Sequence, residues 1–210
     1  LLDKPYPENL PVVGACHSCN NGFSKDEEYV ACLIECVVAG CADPEKVRRP
    51  SIAALLNRSP FLRDRIDACR TIDGNKTVFE VEHERVRRVV LKLARCHAAY
   101  ELKQECREEP YSIWWQPMEL LTEKFLEEFN SPHAIQTYGE LGSRGMQRLR
   151  VTELKLKNFN DEEHFLHLVL NDWVDVQEGR YRYQAIDEGG LLRIKIVIGE
   201  YLACEVAWQL

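Results

Sequence analysis

Residues 171–210 constrain the fold of this chain more than any other part, because their side chains alternate between apolar and polar. Four strand-length runs cover 171–177, 181–186, 191–198 and 201–208, and a glycine lies in each link between them. Short glycine-containing links typically join the neighbouring strands of β-hairpins. Apolar residues recur with a period of two along the last two runs, which indicates a sheet with one buried side. The sequence therefore predicts a C-terminal antiparallel β-meander.

The first helix is predicted to follow a proline-rich, extended start. Ser24 and Glu27 match the capping-box pattern, in which a serine and a glutamate satisfy amides at a helix N-terminus. Acidic residues at 26–28 would then lie in the first turn, where they complement the helix dipole. We expect this helix to run to about Ala39 and to stop at Gly40.

The middle of the chain is mostly helical in pattern. Residues 44–69 predict two short helices separated at Ser59-Pro60, and 77–81 predicts a short strand. A further helix is expected over about 118–129. The strongest helical pattern covers roughly 83–108, where apolar residues recur at steps of three and four. That stripe consists of Val86, Val90, Leu93, His97 and Tyr100.

Helices first and strands last indicate an α+β fold rather than an alternating α/β fold. We expect a helical N-terminal and middle part, with a mainly helical body over 41–170. The β-meander of 171–210 is expected to pack on these helices.

The composition limits which binding partners and which cellular compartment are expected. No apolar run approaches the ~20 residues of a membrane span, so no membrane partner is expected. The nine cysteines are an odd number at irregular spacing, which favours a reducing, cytoplasmic location over a secreted disulfide scaffold.

The net charge of −7 offers no global attraction to nucleic acid. Any such contact must come from local arginine clusters, and each cluster taken alone is typical of a solvated helix face. These clusters are Arg48-Arg49, then Arg85 with Arg87-Arg88, then Arg144 with Arg148 and Arg150.

Cys16 and Cys19 form a C-x-x-C knuckle, a spacing that grips one Zn²⁺ from a tight turn. Two thiolates supply half of a tetrahedral site. The missing ligands could be Cys32 and Cys36, one helical turn apart, or a second C-x-x-C pair upstream of this chain. Core packing is the favoured interpretation for Cys32 and Cys36, because apolar residues surround them and free cysteine is habitually buried.

Residues 9–21, NLPVVGACHSCNN, resemble the second half of an HNH (His-Me finger) endonuclease motif of the zinc-knuckle type. The stretch CNNGFSKDEEY at 19–29 and the tail over 180–208 are similar to a set of uncharacterised bacterial HNH-type proteins, so the resemblance extends over most of the chain. It implies that 1–40 is the C-terminal half of an HNH-like zinc-knuckle ββα motif.

The resemblance also assigns roles to individual residues. Cys16 and Cys19 would hold a structural Zn²⁺. Asn20 would contact a catalytic Mg²⁺ or similar divalent ion, and Asn9 would be the middle asparagine of the motif. The family's general-base histidine would precede Leu1. The chain is then expected to be a truncated metal-dependent endonuclease for nucleic acid phosphodiesters, inactive in this form, with DNA as a candidate partner.

A second function class is a non-catalytic zinc-containing module that binds nucleic acid or a protein partner. The net charge favours this class, since a free-standing nuclease needs phosphate-binding charge.

The histidines are expected to have ordinary roles. His97 lies on the apolar stripe of its helix and is predicted to be a hydrogen-bonded core histidine. His17 could be a ligand or simply exposed, and His164 with His167 could form a metal pair on a helix. Burial is the favoured interpretation for the large aromatic residues, over stacking on bases: Trp114, Trp115, Tyr181, Tyr183 and Trp208.

Overall fold

A five-stranded antiparallel sheet and two long helices form the centre of the molecule. The computed structural model describes residues 1–15, 17–74, 76–135, 143–157 and 162–209, apart from the side chains of Ser18, Cys19 and Asn21. The helices are α1 (His17–Ala39), α2 (Pro50–Arg58), α3 (Pro60–Ala68), α4 (His83–Leu102), α5 (Glu123–Asn130) and α6 (Arg144–Gln147). The strands are β1 (Arg70–Asp73), β2 (Lys76–Phe79), β3 (Ser112–Pro117), β4 (His133–Ala134), β5 (Arg150–Lys157), β6 (Glu163–Asn171), β7 (Val174–Gln177), β8 (Tyr181–Asp187), β9 (Leu191–Ile198) and β10 (Leu202–Gln209).

The α+β class and the C-terminal meander are confirmed. Strands β7, β8, β9 and β10 lie side by side in chain order, and β3 completes the sheet beyond β10. The link at Gly199-Glu200 turns with φ values of 65° and 48°, a backbone region that glycine adopts without strain. A Cβ at position 199 would lie 3.4 Å from the side chain of Ile34. This turn therefore packs closely on α1.

The sheet is buried on both faces, whereas the sequence predicted one buried side. On one face, the even-numbered side chains of β9 and β10 pack against α1 and α4. On the other face, Val197 and Ala203 lie under Phe129 of α5. Lys195 lies on that same face, where it is buried and its ammonium donates to the backbone carbonyl of Phe129 at 3.3 Å. The second buried face was missed because Phe129, which covers it, comes from a distant part of the chain.

Helix α4 carries the predicted apolar stripe but is shorter than expected. It ends at Leu102 rather than near 108, because Lys103 adopts a left-handed conformation with φ 57°. The amides of Lys103 and Gln104 both donate to the carbonyl of Ala98. This arrangement satisfies the last carbonyls of the helix and terminates it.

Helix α1 ends at Ala39 before Gly40, as predicted, but it begins at His17 instead of Ser24. Asn20, Asn21 and Gly22 have weak helix propensity, which hid this first part of the helix. Residues 26–28 consequently lie in the interior of α1 and do not complement its N-terminal dipole.

Several elements of the middle region differ from the prediction. The two short helices meet at Ser59-Pro60 as expected, but the strand near 77–81 has an unpredicted partner, β1. The helix expected over 118–129 is a short 3-10 turn at Met118–Leu120 followed by α5. Strands β3 to β5 and all of β6 except Asn171 also fall inside the region 41–170 that was expected to be mainly helical.

The predicted aromatic burial holds for the sheet. Tyr181, Tyr183 and Trp208 are buried. Trp114 and Trp115 are half-buried on β3, one packed on each face of the sheet. Within the described residues, no helix has the length and apolar character that crossing a membrane requires.

Candidate nucleic-acid interface

The predicted site residues lie at the start of the chain and the beginning of α1. Asn9 is exposed in a turn, and Asn20 is exposed in the first turns of α1. Cys16 lies outside the described residues, and so does the side chain of Cys19, whose backbone is helical. Among the described residues, no group of three His, Cys, Asp or Glu side chains could hold a metal ion. The zinc and magnesium assignments therefore stay predictions.

A groove of about 1010 Å³ opens beside this segment. Its walls are residues 13–15, the first half of α1, the outer face of α4 and residues 105–107. The floor is apolar and includes Phe23, Leu91 and Ala99. Four cationic side chains against two carboxylates line the groove, so its local charge is positive in a chain of net charge −7. We call this feature the basic groove.

A row of cationic residues on α4 produces this charge. Arg85, Arg88, Lys92 and Arg95 are spaced at three, four and three residues, which places them on one face of a helix. Three of them, Arg88, Lys92 and Arg95, line the groove directly. These residues lie on the solvent-facing side of α4, because the opposite face is apolar and packs on the sheet.

Asp26 ties α1 to the first part of this row. Its carboxylate is 7% exposed and lies 3.5 Å from Nε of Arg85 and 2.7 Å from Nε of Arg88. This is the role of Asp26 in the structure, in place of the predicted complement to the helix dipole. A buried carboxylate with two arginines holds the two helices, and thus the two walls of the groove, together.

Lys92 connects the row to the predicted site. Its ammonium donates to Oδ1 of Asn20 at 3.3 Å and lies 3.7 Å from the ring centroid of Phe23. An amide oxygen and an aromatic face both attract a cation without neutralising its charge. Lys92 is thus held in place by α1 through groups that carry no net charge, and it adds positive charge to the groove.

Arg95 is held in a similar way at the other end of the groove. Its Nη2 donates to the backbone carbonyls of Arg107 and Glu108 at 3.0 and 3.1 Å. Its Nε is buried and has no hydrogen-bond partner among the described residues. Since carbonyl groups carry no net charge, Arg95 adds a second full positive charge to the groove.

The cysteines near the groove do not offer reactive thiolates. Burial raises the pKa of Cys96 and that of Cys106, both of which line the groove. Cys32 and Cys36 are fully buried in the core, as predicted, and burial raises the pKa of each to about 12. These thiols stay protonated at physiological pH, so cysteine-based nucleophilic chemistry has no support in these residues.

A separate polar cluster lies inside the protein, on the opposite side of α4 from the basic groove. Nε2 of His97 is 2.6 Å from the hydroxyl of Tyr181, and its ring stacks on Tyr183 with centroids 3.7 Å apart. The hydroxyl of Tyr183 donates to Glu101, whose carboxylate also lies 3.3 Å from Arg148. This confirms the prediction of a hydrogen-bonded core histidine.

The environment of His97 keeps its imidazole neutral. Burial, with a smaller effect of the nearby Arg148 charge, lowers the pKa of His97 to about 3. The side chain is 5% exposed, and such a buried, neutral imidazole serves packing better than proton transfer with solvent.

The other histidines give no metal pair on a helix. His164 and His167 belong to strand β6, not to a helix, and their odd spacing directs them to opposite faces. His167 lies 2.9 Å from Glu153 across the hairpin. His17 is exposed at the first position of α1.

Sequence reasoning identified Arg85 and Arg88 but missed the groove. The signal was present as the continuation of the row to Lys92 and Arg95 at helical spacing. The pairing of Asn20 with Lys92 joins residues 72 positions apart, which no local pattern reveals. Comparison of the chain with family models, with curated proteins and with solved structures finds no match.

Proposed function

We propose that this protein forms the nucleic-acid-binding part of an HNH-type, metal-dependent endonuclease and that the basic groove holds the phosphate backbone. One observation carries the proposal: Asn20, in the segment that resembles the HNH motif, contacts Lys92, in the cationic row of α4. The resemblance and the charge thus meet at one place. The resemblance indicates phosphodiester chemistry, and the positive charge of the groove attracts the phosphates of a nucleic acid.

The charge distribution supports contact with a polyanion. Lys92 and Arg95 are each fixed by neutral oxygen atoms. Among the described residues neither forms an ion pair with a carboxylate that a phosphate would first have to break. Contacts with phosphates release counterions and make binding salt-dependent. The apolar floor of the groove is compatible with sugars and bases lying between the phosphates.

The residues present fit one of the two proposed metal ions, the zinc, and do not fit the other, the magnesium. Cys16 and Cys19 supply thiolates, the ligand chemistry of structural zinc, so they fit a zinc ion that would fasten the start of α1. Asn20 offers an amide oxygen, which suits Mg²⁺ in principle. That oxygen already accepts a hydrogen bond from the Lys92 ammonium, so Asn20 as placed does not fit a catalytic metal ion. Its contact instead positions Lys92.

Substituting both Lys92 and Arg95 by alanine is expected to weaken DNA binding on the order of tenfold at low salt, because two phosphate contacts are lost. The slope of log affinity against log salt should become shallower by about 2. Fluorescence anisotropy of labelled single- and double-stranded oligonucleotides over a range of KCl concentrations measures both quantities.

The matched control replaces Lys76 and Lys124, two exposed lysines on β2 and α5, and removes the same total charge. It should bind DNA as the unaltered protein does. If both double variants weaken binding equally, DNA has no preferred binding place on the protein surface, and the basic groove is not its binding site.

Cleavage tests the nuclease half of the proposal. If the family's histidine-bearing strand precedes Leu1 in a longer protein, that protein is expected to cleave plasmid DNA with Mg²⁺ and residues 1–210 alone are not, since general-base catalysis contributes about 10²–10⁴-fold. The Cys16→Ser/Cys19→Ser variant of the longer protein should lose bound zinc and most of its activity. A Cys41→Ser/Cys69→Ser variant is the control and should retain both.

The two outcomes separate the function classes. Binding at the groove without any cleavage by the longer protein would favour the non-catalytic binding module. Unchanged zinc content in the Cys16→Ser/Cys19→Ser variant would mean that the knuckle is not a metal site, and the HNH assignment would fall with it.

A further inference from the structure

A two-stranded arm carries apolar side chains into solvent. It consists of β5, in which all eight residues are exposed, and of residues 163–167 of β6, which are also exposed. Burial begins only at the C-terminal half of β6. The arm includes several exposed large apolar residues: Val151, Leu154, Leu156, Phe165 and Leu166.

Leucines form one face of this arm. The strand register pairs Leu154 with Leu166 and Leu156 with His164, and opposed residues of an antiparallel pair project to the same face. Leu154, Leu156 and Leu166 are 37%, 50% and 45% exposed. The main hydrophobic core of the protein lies elsewhere. A contiguous apolar surface outside that core is typical of an interaction site.

The arm also ends in an unpaired strand edge. Strand order in its sheet is β4-β6-β5, so the outer side of β5 has no strand partner within the described residues. An exposed edge eight residues long presents backbone amides and carbonyls that can pair with another strand.

We propose that this edge pairs with the same edge of a second copy of the chain, antiparallel, with Leu154 opposite Leu154. Such self-pairing is isologous, so one two-fold axis closes the assembly as a dimer. In this register Thr152 lies opposite Leu156, and the leucine faces of the two arms become continuous. The proposal is independent of the basic groove and of the nuclease assignment.

The charges of β5 select both the partner and the register. With Leu154 at the centre, Glu153 of each copy lies opposite Lys155 of the other, which forms two attractive cross-strand pairs. Sliding the partner strand by two residues places Glu153 opposite Glu153 in one direction and Lys155 opposite Lys155 in the other. Sliding by one residue places the leucine face against the polar face. Of these registers, the central one keeps each Glu153 opposite a lysine without any like-charge pair and keeps the leucine faces side by side.

Within one copy, the same residues already make cross-strand contacts to β6. Oε2 of Glu153 lies 2.9 Å from His167, and the ammonium of Lys155 lies 2.7 Å from Glu163. A carboxylate has a second oxygen and an ammonium has three protons, so both groups keep capacity for a second strand.

Sedimentation of the 210-residue chain over a range of concentrations tests the dimer. Glu153→Lys should raise the dimer dissociation constant by about tenfold or more, because it turns two attractive pairs into two repulsive ones. The double exchange Glu153→Lys/Lys155→Glu should restore dimerisation, since opposite charges again face each other. Glu119→Lys, the same charge change at an exposed position away from the arm, should leave the dimer unchanged.

Backbone hydrogen exchange identifies the surface involved. Amides of residues 151–156 should gain protection as protein concentration rises. Restored association in the double exchange together with this protection supports the proposal. A monomer at every concentration, a dimer indifferent to Glu153→Lys, or a dimer without protection of these amides would each overturn it, and circular dichroism of the variants confirms that the arm substitutions leave the fold intact.

Discussion

Replacing Tyr183 by alanine is expected to lower the free energy of unfolding by about 3–5 kcal/mol. Tyr183 is 0% exposed at the centre of the sheet, so its removal leaves a cavity. The substitution also removes the ring that stacks on His97 and the hydroxyl that donates to Glu101. Chemical denaturation followed by circular dichroism measures the loss.

A smaller substitution separates packing from hydrogen bonding. Tyr183→Phe keeps the ring and removes the donor to Glu101, and leaving that buried carboxylate short of a partner should cost about 1–3 kcal/mol. Tyr111→Ala, at a 76% exposed tyrosine, is the matched control and should change stability by less than about 0.5 kcal/mol. A Tyr183→Ala variant as stable as the control would show that the sheet does not pack on α4 as described.

Acidification is expected to destabilise the protein through His97, with a slope on the order of 1 kcal/mol per pH unit between pH 6.5 and pH 3. The folded-state pKa of His97 lies at about 3, below its ordinary value of 6.5. The unfolded chain therefore takes up the proton first as the pH falls. The contribution of this residue is fully present above pH 6.5 and is lost on the way down to pH 3.

The measurement is the pH dependence of unfolding free energy for the unaltered protein and for His97→Gln. The variant is less stable at neutral pH, but its stability should fall less steeply between pH 6 and pH 4, because the titrating group is gone. His164→Gln, at an exposed position on the arm, should keep the original slope. Parallel slopes for all three proteins would contradict a buried, neutral His97.

The parts of the fold that the sequence predicted are those determined by local patterns. Period-two alternation and glycine links identify β7 to β10, and the spacing of Val86, Val90 and His97 identifies α4. The burial of the second sheet face depends on α5, whose Phe129 reaches Val197 from a distant part of the chain. The start of α1 was missed because its first residues have weak helix propensity, and the structure places Asn20 and Phe23 against Lys92 of α4.

The same difference between local patterns and contacts of distant residues applies to the candidate site. Cys16, Cys19 and Asn20 were proposed as site residues because they stand together in the sequence, and the resemblance to a nuclease motif rests on them. The positive charge of the basic groove was not predicted, because an arginine cluster taken alone is uninformative. Only the fold brings Lys92 and Arg95 beside the beginning of α1. The exposed arm was missed for a different reason. Its leucines suggest burial in a core, and only the folded structure shows that they are exposed.

The basic groove is a small positive region on a negative molecule, and this has a kinetic consequence. A polyanion farther from the groove than about 8 Å, the Debye length at physiological salt, is largely screened from its positive charge and experiences at most the repulsion of the net charge. Attraction begins only once the groove faces it. Association should therefore proceed near the unsteered rate of about 10⁵–10⁶ M⁻¹s⁻¹, rather than at the 10⁸–10⁹ M⁻¹s⁻¹ of proteins with long-range electrostatic attraction. Most encounters would meet the wrong face and separate, so that orientation, and not distance, limits capture.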